Sequence, residues 1–155
     1  MEKAWNERPM TAMYILTECR QSFQEATRLK SMIEALKEEI TGITVHQGMG
    51  GGAPGDRIGA YMARKDELTR RFQAERCNLK ALRKSALLLT ANLPALQRHA
   101  MKEFYCLGKT APQIAQDKHY SESSIYKALA AGRKAMQNMA KEEVENALPI
   151  FDQDE

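Results

Sequence analysis

Histidines, cysteines and a glycine-rich stretch are the residues of this 155-residue chain whose types could do chemistry. His46, His99 and His119 share no ligand spacing with one another or with Cys19, Cys77 and Cys106, so neither a zinc motif nor a disulfide framework is read from them. No Ser/His/Asp set or paired acid stands out, and a small helical chain offers little cleft. The expectation is no enzyme, no metal and no cofactor. Gly50-Gly51-Gly52-Ala53-Pro54-Gly55 satisfies G-x-G-x-x-G. A pyrophosphate cradle of that pattern needs a strand before it and a helix after it, and both flanks here read as long helices. Asp56-Arg57 stand where a P-loop needs Lys and Ser/Thr, so the stretch reads as a connector.

The stronger chemical signal is charge. The formal net charge is only +3, but it is unevenly spread. Residues 1–93 carry fifteen Lys and Arg against eleven Asp and Glu, residues 94–141 carry eight against three, and residues 142–155 carry none against six. A basic module of 48 residues therefore precedes an acidic tail, a pattern that suits a polyanion partner or, more plainly, a solvated basic face. The chain is 43% hydrophobic, 28% charged and 6% aromatic, which excludes full disorder and a large α/β core and favours helix over strand. No run approaches a membrane span and Met1-Glu2-Lys3-Ala4-Trp5 leads into no signal-peptide core, so a cytoplasmic protein with thiol cysteines is expected.

The elements that would position a basic site follow from spacing. Ile15, Cys19, Ser22, Ala26, Leu29, Ile33, Leu36, Ile40 and Ile43 recur by fours and threes, a heptad seam. A second seam runs Ile58, Tyr61, Lys65, Leu68, Phe72, Glu75, Leu79, Leu82, Ala86, Leu89 and Leu93. One seam cannot bury itself, so residues 1–92 are expected to form an antiparallel, coiled-coil-like helical hairpin around a Gly-rich loop at 41–56. Leu93-Pro94 marks a boundary. Beyond it the pattern predicts a helix from Pro94 to Cys106 stopped by Gly108, a short helix Ala111–Lys118 capped by Thr110, and a third helix capped by Ser121. The apolar face of that third helix is Ile125, Ala128, Leu129, Gly132, Met136 and Met139. Helix, short helix, tight turn, helix is the order of a helix-turn-helix, assigned here to residues 93–141, with 142–155 as a frayed acidic tail that could also shield the basic module.

The stretch from Gly108 through Leu129 resembles the DNA-binding module of the sigma-70 family, region 4: Gly108, the capping Thr110, the Ile114-Ala115 pair, Tyr120 in the turn, the capping Ser121, then Ile125 and Leu129. Leu93-Pro94-Ala95-Leu96-Gln97-Arg98 resembles the helix preceding that unit. The resemblance covers residues 93–139. Together with the N-terminal hairpin it is similar to phage-encoded sigma-like and ArpU-type late-gene regulators of Gram-positive bacteria. It implies an all-α fold, a duplex DNA partner, and a hairpin used for self-association as a homodimer or for contact with RNA polymerase. Tyr120 is then expected to plug the turn, and Ala115 to sit where the helices cross closely.

With Ser121 as cap, Glu122, Ser123, Ser124, Tyr126, Lys127 and Ala130 belong to the turns that would enter a major groove. Lys127 suits guanine acceptors, Tyr126 or Ala130 a thymine methyl, and Glu122 cytosine N4 or the helix dipole. Arg133 and Lys134, a turn later, are expected on phosphate. Thr110 and Gln113 lie at a helix N-terminus, whose free N–H groups favour a phosphate oxygen, with Lys109, Lys102 and Arg98 adding to the same field. Ala130-Ala131-Gly132 stand where many such modules carry another cation, so direct readout is thin. Competing readings are a phage terminase small subunit recognising packaging DNA, and a protein-binding module with a vestigial helix-turn-helix.

Overall fold

In a computed structural model the described residues are 11–45 and 54–149, and all their regular structure is helical. The order is α1 (Ala12–Val45), α2 (Pro54–Thr90), α3 (Ala95–Met101), a π-turn (Lys102–Cys106), α4 (Ala111–Lys118), α5 (Glu122–Gln137) and α6 (Lys141–Asn146). Thr11 starts α1, its hydroxyl accepting the Tyr14 N–H at 3.0 Å. Pro54 starts α2, since a helix's first turn needs no N–H there.

Both seams face inward. Ile15, Cys19, Ser22, Ala26, Leu29, Ile33 and Leu36 are buried on α1, as are Leu68, Leu79, Leu82, Ala86 and Leu89 on α2. Lys65 and Glu75, the charged members of the second seam, are half-buried. The loop is narrower than the 41–56 expected from its glycines. α1 continues through Gly42 to Val45, because one exposed Gly costs a helix only ~1 kcal/mol against Ala. Residues 46–53, with His46 and the first four residues of the G-x-G-x-x-G stretch, lie outside the described residues.

The chain divides into two compact units, Met1–Gln24 with Cys77–Glu155, and Glu25–Arg76. In the second unit Leu29, Ile33, Leu36 and Leu68 form a small core flanked by Met32, Ile40, Tyr61 and Phe72, and Arg71 approaches Glu25 to 4.0 Å. In the first, Ile15, Leu16 and Cys19 of α1 and Leu79, Leu82, Ala86 and Leu89 of α2 share one core with Met101, Ile114, Ile125, Leu129 and Met136. The contacts thus divide the chain elsewhere than at 92/93: the first part of α1 and the last part of α2 belong with the basic module.

Two arginines explain that attachment. A π-turn and the bend after it leave carbonyls short of helical partners. Arg20 of α1 donates to the carbonyls of Phe104 and Lys109, and Arg83 of α2 donates to that of Cys106 at 2.9 Å. The Arg20 guanidinium also lies 3.8 Å from the Phe104 ring centroid. Desolvation lowers the Arg20 pKa from its usual value. Gly108 then turns the chain at φ +68, and the Lys109 N–H reaches back to the Glu103 carbonyl at 3.1 Å.

Residues 141–149 differ from the frayed tail expected of an acidic segment. They form α6 and an ordered end, with Val144 3% and Ala147 5% exposed in the first unit's core and Leu148 packed against it. Two apolar side chains three residues apart anchor one helical face, while Glu142, Glu143 and Glu145 stay exposed. Residues 150–155 lie outside the described residues.

Cys19 and Cys106 are buried and Cys77 is exposed; all three are thiols. Cys19 is held protonated, first by its hydrogen bond with Cys106 and then by burial. Native protein should therefore react with a thiol reagent at Cys77 alone, with Cys19 and Cys106 reacting only in denaturant. Mass spectrometry of the labelled native protein checks this, and early modification at Cys106 would contradict it.

Candidate nucleic-acid interface

The basic module presents one exposed, polar surface around the α4–α5 connection, built by caps. Thr110 and Gln113 form a capping box at the start of α4: the Thr110 hydroxyl accepts the Gln113 N–H at 3.4 Å and the Gln113 side-chain carbonyl accepts the Thr110 N–H at 2.9 Å. Pro112 has no N–H, so the Ala111 N–H is the first-turn donor left unused by the box. The anion site expected at this helix start is correspondingly reduced.

α4 ends in a left-handed residue, His119 at φ 59. The Tyr120 N–H returns to the Ala115 carbonyl at 3.0 Å and the His119 N–H to Gln116 at 3.4 Å, the double bond of a Schellman ending. Histidine tolerates this conformation better than most non-glycine residues. Ser121 then caps α5, its hydroxyl accepting the Ser124 N–H at 3.1 Å and lying 2.8 Å from the Ser124 hydroxyl. A connection of only three residues follows from these caps, and Ile114, Ala115, Ile125, Ala128 and Leu129 close the two helices over it.

The residues expected to enter a groove fall on the outer side of α5. Glu122, Ser123, Tyr126, Lys127, Ala130 and Lys134 are exposed. Ser124 is half-buried and tied to the cap, which makes it a positioning residue. Tyr120 does not plug the turn: it is 49% exposed, since its backbone serves the Schellman ending and Ile114, Ile125 and Leu129 already fill the space beneath. Exposed Lys118, His119 and Tyr120 therefore join the surface, a contribution not read from the sequence because Tyr120 occupies the place of an apolar turn residue. The exposed phenol and hydroxyl groups can donate to and accept from base edges, and the ammonium groups can donate to base edges and phosphates.

Two cations expected on phosphate are engaged inside the protein. Arg133 is half-buried, with Nε donating to the Tyr105 hydroxyl at 2.8 Å and its guanidinium 5.3 Å from the Phe104 centroid. Phe104 therefore contacts Arg20 and Arg133 both. Arg133 lies inward because it sits beside Gly132 at the edge of the apolar face, where an ideal Cβ on Gly132 would come within 2.7 Å of Met101 Cγ, so α3 and α5 approach closely. Lys109 Nζ lies 2.7 Å from Asp117 and 3.3 Å from Glu103, and its pKa is raised by these two carboxylates, the hydrogen bond to Asp117 first. Its charge is locally balanced. Arg98, Lys102 and Lys134 remain exposed, with Arg98 Nη1 also near the Ala91 carbonyl at 3.5 Å.

Replacing Arg133 by Ala should lower stability by ~1–2 kcal/mol through loss of the Tyr105 bond and the ring contact, whereas Lys127→Ala should leave it within ~0.5 kcal/mol. Urea midpoints of the two variants check the contrast.

No family model, curated protein or solved structure matches the chain. Among the described residues, no group of three or more His, Cys, Asp or Glu is placed to hold a metal ion, and no helix is long and apolar enough to cross a membrane.

Proposed function

We propose that the protein is a sequence-specific, duplex DNA-binding transcriptional regulator of phage or prophage origin, with α4 and α5 as its helix-turn-helix and no catalytic activity. The observation that carries this reading is the arrangement of α5. Its cap and buried face are fixed by Ser121, Ile125, Ala128 and Leu129, while Ser123, Tyr126, Lys127 and Ala130 stand outward over its first turns. A rigid helix end presenting short polar groups and one lysine is what major-groove readout requires. Tyr120 and Lys118 extend the surface toward the flanking backbone, and Lys134, Arg98 and Lys102 supply phosphate contacts.

The finer architecture belongs to the same reading: α1 and α2 form an antiparallel hairpin, supported in the second unit by Leu29, Ile33 and Leu36 sharing a core with Leu68 and by the approach of Arg71 to Glu25. That hairpin projects a surface for a second copy or for RNA polymerase in the host cytoplasm. Selection of bound fragments from a phage genome tests the assignment. Enrichment of promoter-proximal fragments by a monomer or dimer is expected. Enrichment of a packaging site by a ring of subunits would transfer the protein to the terminase small-subunit reading, and no enrichment at all would leave only protein binding.

A further inference from the structure

Two cysteines far apart in sequence meet inside the first unit. Cys19 of α1 is 0% exposed and Cys106, the last residue of the π-turn, is 3% exposed, and both belong to one core cluster. Their side chains share a hydrogen bond, with the Cys19 thiol as donor and the Cys106 sulfur as acceptor. Bonds on either side hold the two residues in place. Arg20, the residue after Cys19, donates to the Phe104 and Lys109 carbonyls, and Arg83 donates to the Cys106 carbonyl at 2.9 Å. Packing alone does not call for two thiols in contact, because a buried cysteine fills space as a small hydrophobe and differs from one chiefly in its reactivity.

The surroundings make the two sulfurs unequal. The Cys106 thiol is pulled below its usual range by the Cys19 hydrogen bond, an effect that burial opposes and the charges of Arg83 and Lys102 support, while Cys19 stays protonated. The thiolate is the nucleophile, so Cys106 is the sulfur that attacks and Cys19 the one that resolves. Burial keeps a bulky alkylating reagent from both, whereas hydrogen peroxide is close to water in size. We propose that Cys19 and Cys106 form an oxidation site for a small hydroperoxide, closing to a disulfide that ties α1 to the π-turn ahead of α4. With hydrogen peroxide, the Cys106 thiolate attacks one oxygen, the O–O bond breaks, and the departing oxygen takes a proton and leaves as water. The peroxide has then accepted two electrons and Cys106 is a sulfenic acid. Cys19 gives up its proton and bonds to the Cys106 sulfur, and the hydroxide displaced there leaves with that proton as a second water. Two thiols and one peroxide thus yield one disulfide and two waters. Thiols already in hydrogen-bond contact need only a short approach to the ~2.0 Å of an S–S bond. The proposal holds whether or not α5 binds DNA.

Mass spectrometry without reductant tests it in a full-length Cys77→Ser chain, which removes the exposed thiol. After folded protein is treated with hydrogen peroxide, the digest should hold the Cys19 and Cys106 peptides joined, short of two hydrogens, and dithiothreitol should separate them. Closing so long a loop should also raise Tm by ~10 °C, a rise the same reductant reverses. With Cys19→Ala added, the Cys106 peptide should instead gain oxygen, because no second thiol resolves the sulfenic acid. Folded protein that keeps both thiols under peroxide, or whose Cys106 gains oxygen while Cys19 is present, would overturn the proposal. So would a cross-link that forms only as fast as the protein unfolds, which would assign the pair to packing alone.

Discussion

Gly108→Ala should destabilise the protein by ~3–5 kcal/mol, a large share of the 5–15 kcal/mol that holds a domain folded. Two causes add. The residue sits at φ +68, where a Cβ costs ~1–2 kcal/mol, and that Cβ would overlap the Phe23 ring at Cδ1 and Cε1. Phe23 packs against the first unit's core beneath Arg83, whose guanidinium lies 5.7 Å from its ring centroid, so the ring has limited room to withdraw. The contact also lies beside the π-turn that Arg20 and Arg83 clamp, so a shift of Phe23 would loosen the attachment of α1 to α4. In a Phe23→Ala background the steric part should vanish, leaving about the left-handed cost alone. Denaturant midpoints of the two single variants and the double variant measure this coupling, and strict additivity would contradict the close approach.

The second large effect concerns autonomy. A fragment of residues 93–141 should lack a cooperative thermal transition, although it contains all of α3, α4 and α5. It would lose Ile15, Leu16, Cys19, Leu79, Leu82, Ala86 and Leu89 from its core, Val144 and Ala147 from α6, and the Arg20 and Arg83 bonds to the π-turn. The buried groups so exposed cost ~1.5–3 kcal/mol for each large side chain, far beyond what 49 residues can spare. A chain joining residues 1–24 to 77–155 through a short Gly/Ser turn should instead fold, because it restores every one of those groups. The Asn78 amide lies 3.4 Å from the Ser22 hydroxyl, so a tight connection spans the join. Calorimetry and amide NMR separate the outcomes: a sharp transition in the 93–141 fragment, or none in the joined chain, would contradict the division of the core.

The periodic parts of this fold were legible because burial follows spacing. Both seams, the Thr110 and Ser121 caps and the Ile125, Ala128, Leu129 face needed only helical geometry and cap chemistry to be read. What spacing does not encode is which polar group a charged side chain meets. Arg133 reads as a phosphate contact and Arg20 and Arg83 fall outside both seams, yet their acceptors are the Phe104 and Cys106 carbonyls and the Tyr105 hydroxyl, distant in sequence. The boundary at 92/93 and the phosphate contact expected of Arg133 are both read without those bonds in view. The position of Arg133, four residues after Leu129 and three before Met136, is the signal that marks it as an edge of the buried face. α6 was hidden for another reason: Val144 and Ala147 are too few to make a period, and six nearby carboxylates dominated the stretch. The outward residues of α5 could be named from sequence because they are what remains when the apolar face is subtracted, whereas Tyr120 could not, since its exposure depends on how well other side chains fill the turn.

The central claim is that the outer side of α5 meets duplex DNA, and the salt dependence of binding by wild type and Lys127→Ala tests it most directly. With promoter-proximal duplex, the account predicts that log K falls linearly with log salt, that Lys127→Ala weakens binding by ~1–3 kcal/mol with most of the loss confined to the selected sequence, and that Lys134→Ala lowers the salt slope by about one. Binding that is absent at low salt, or that is unchanged in slope and sequence preference when both lysines are removed from folded protein, would contradict it.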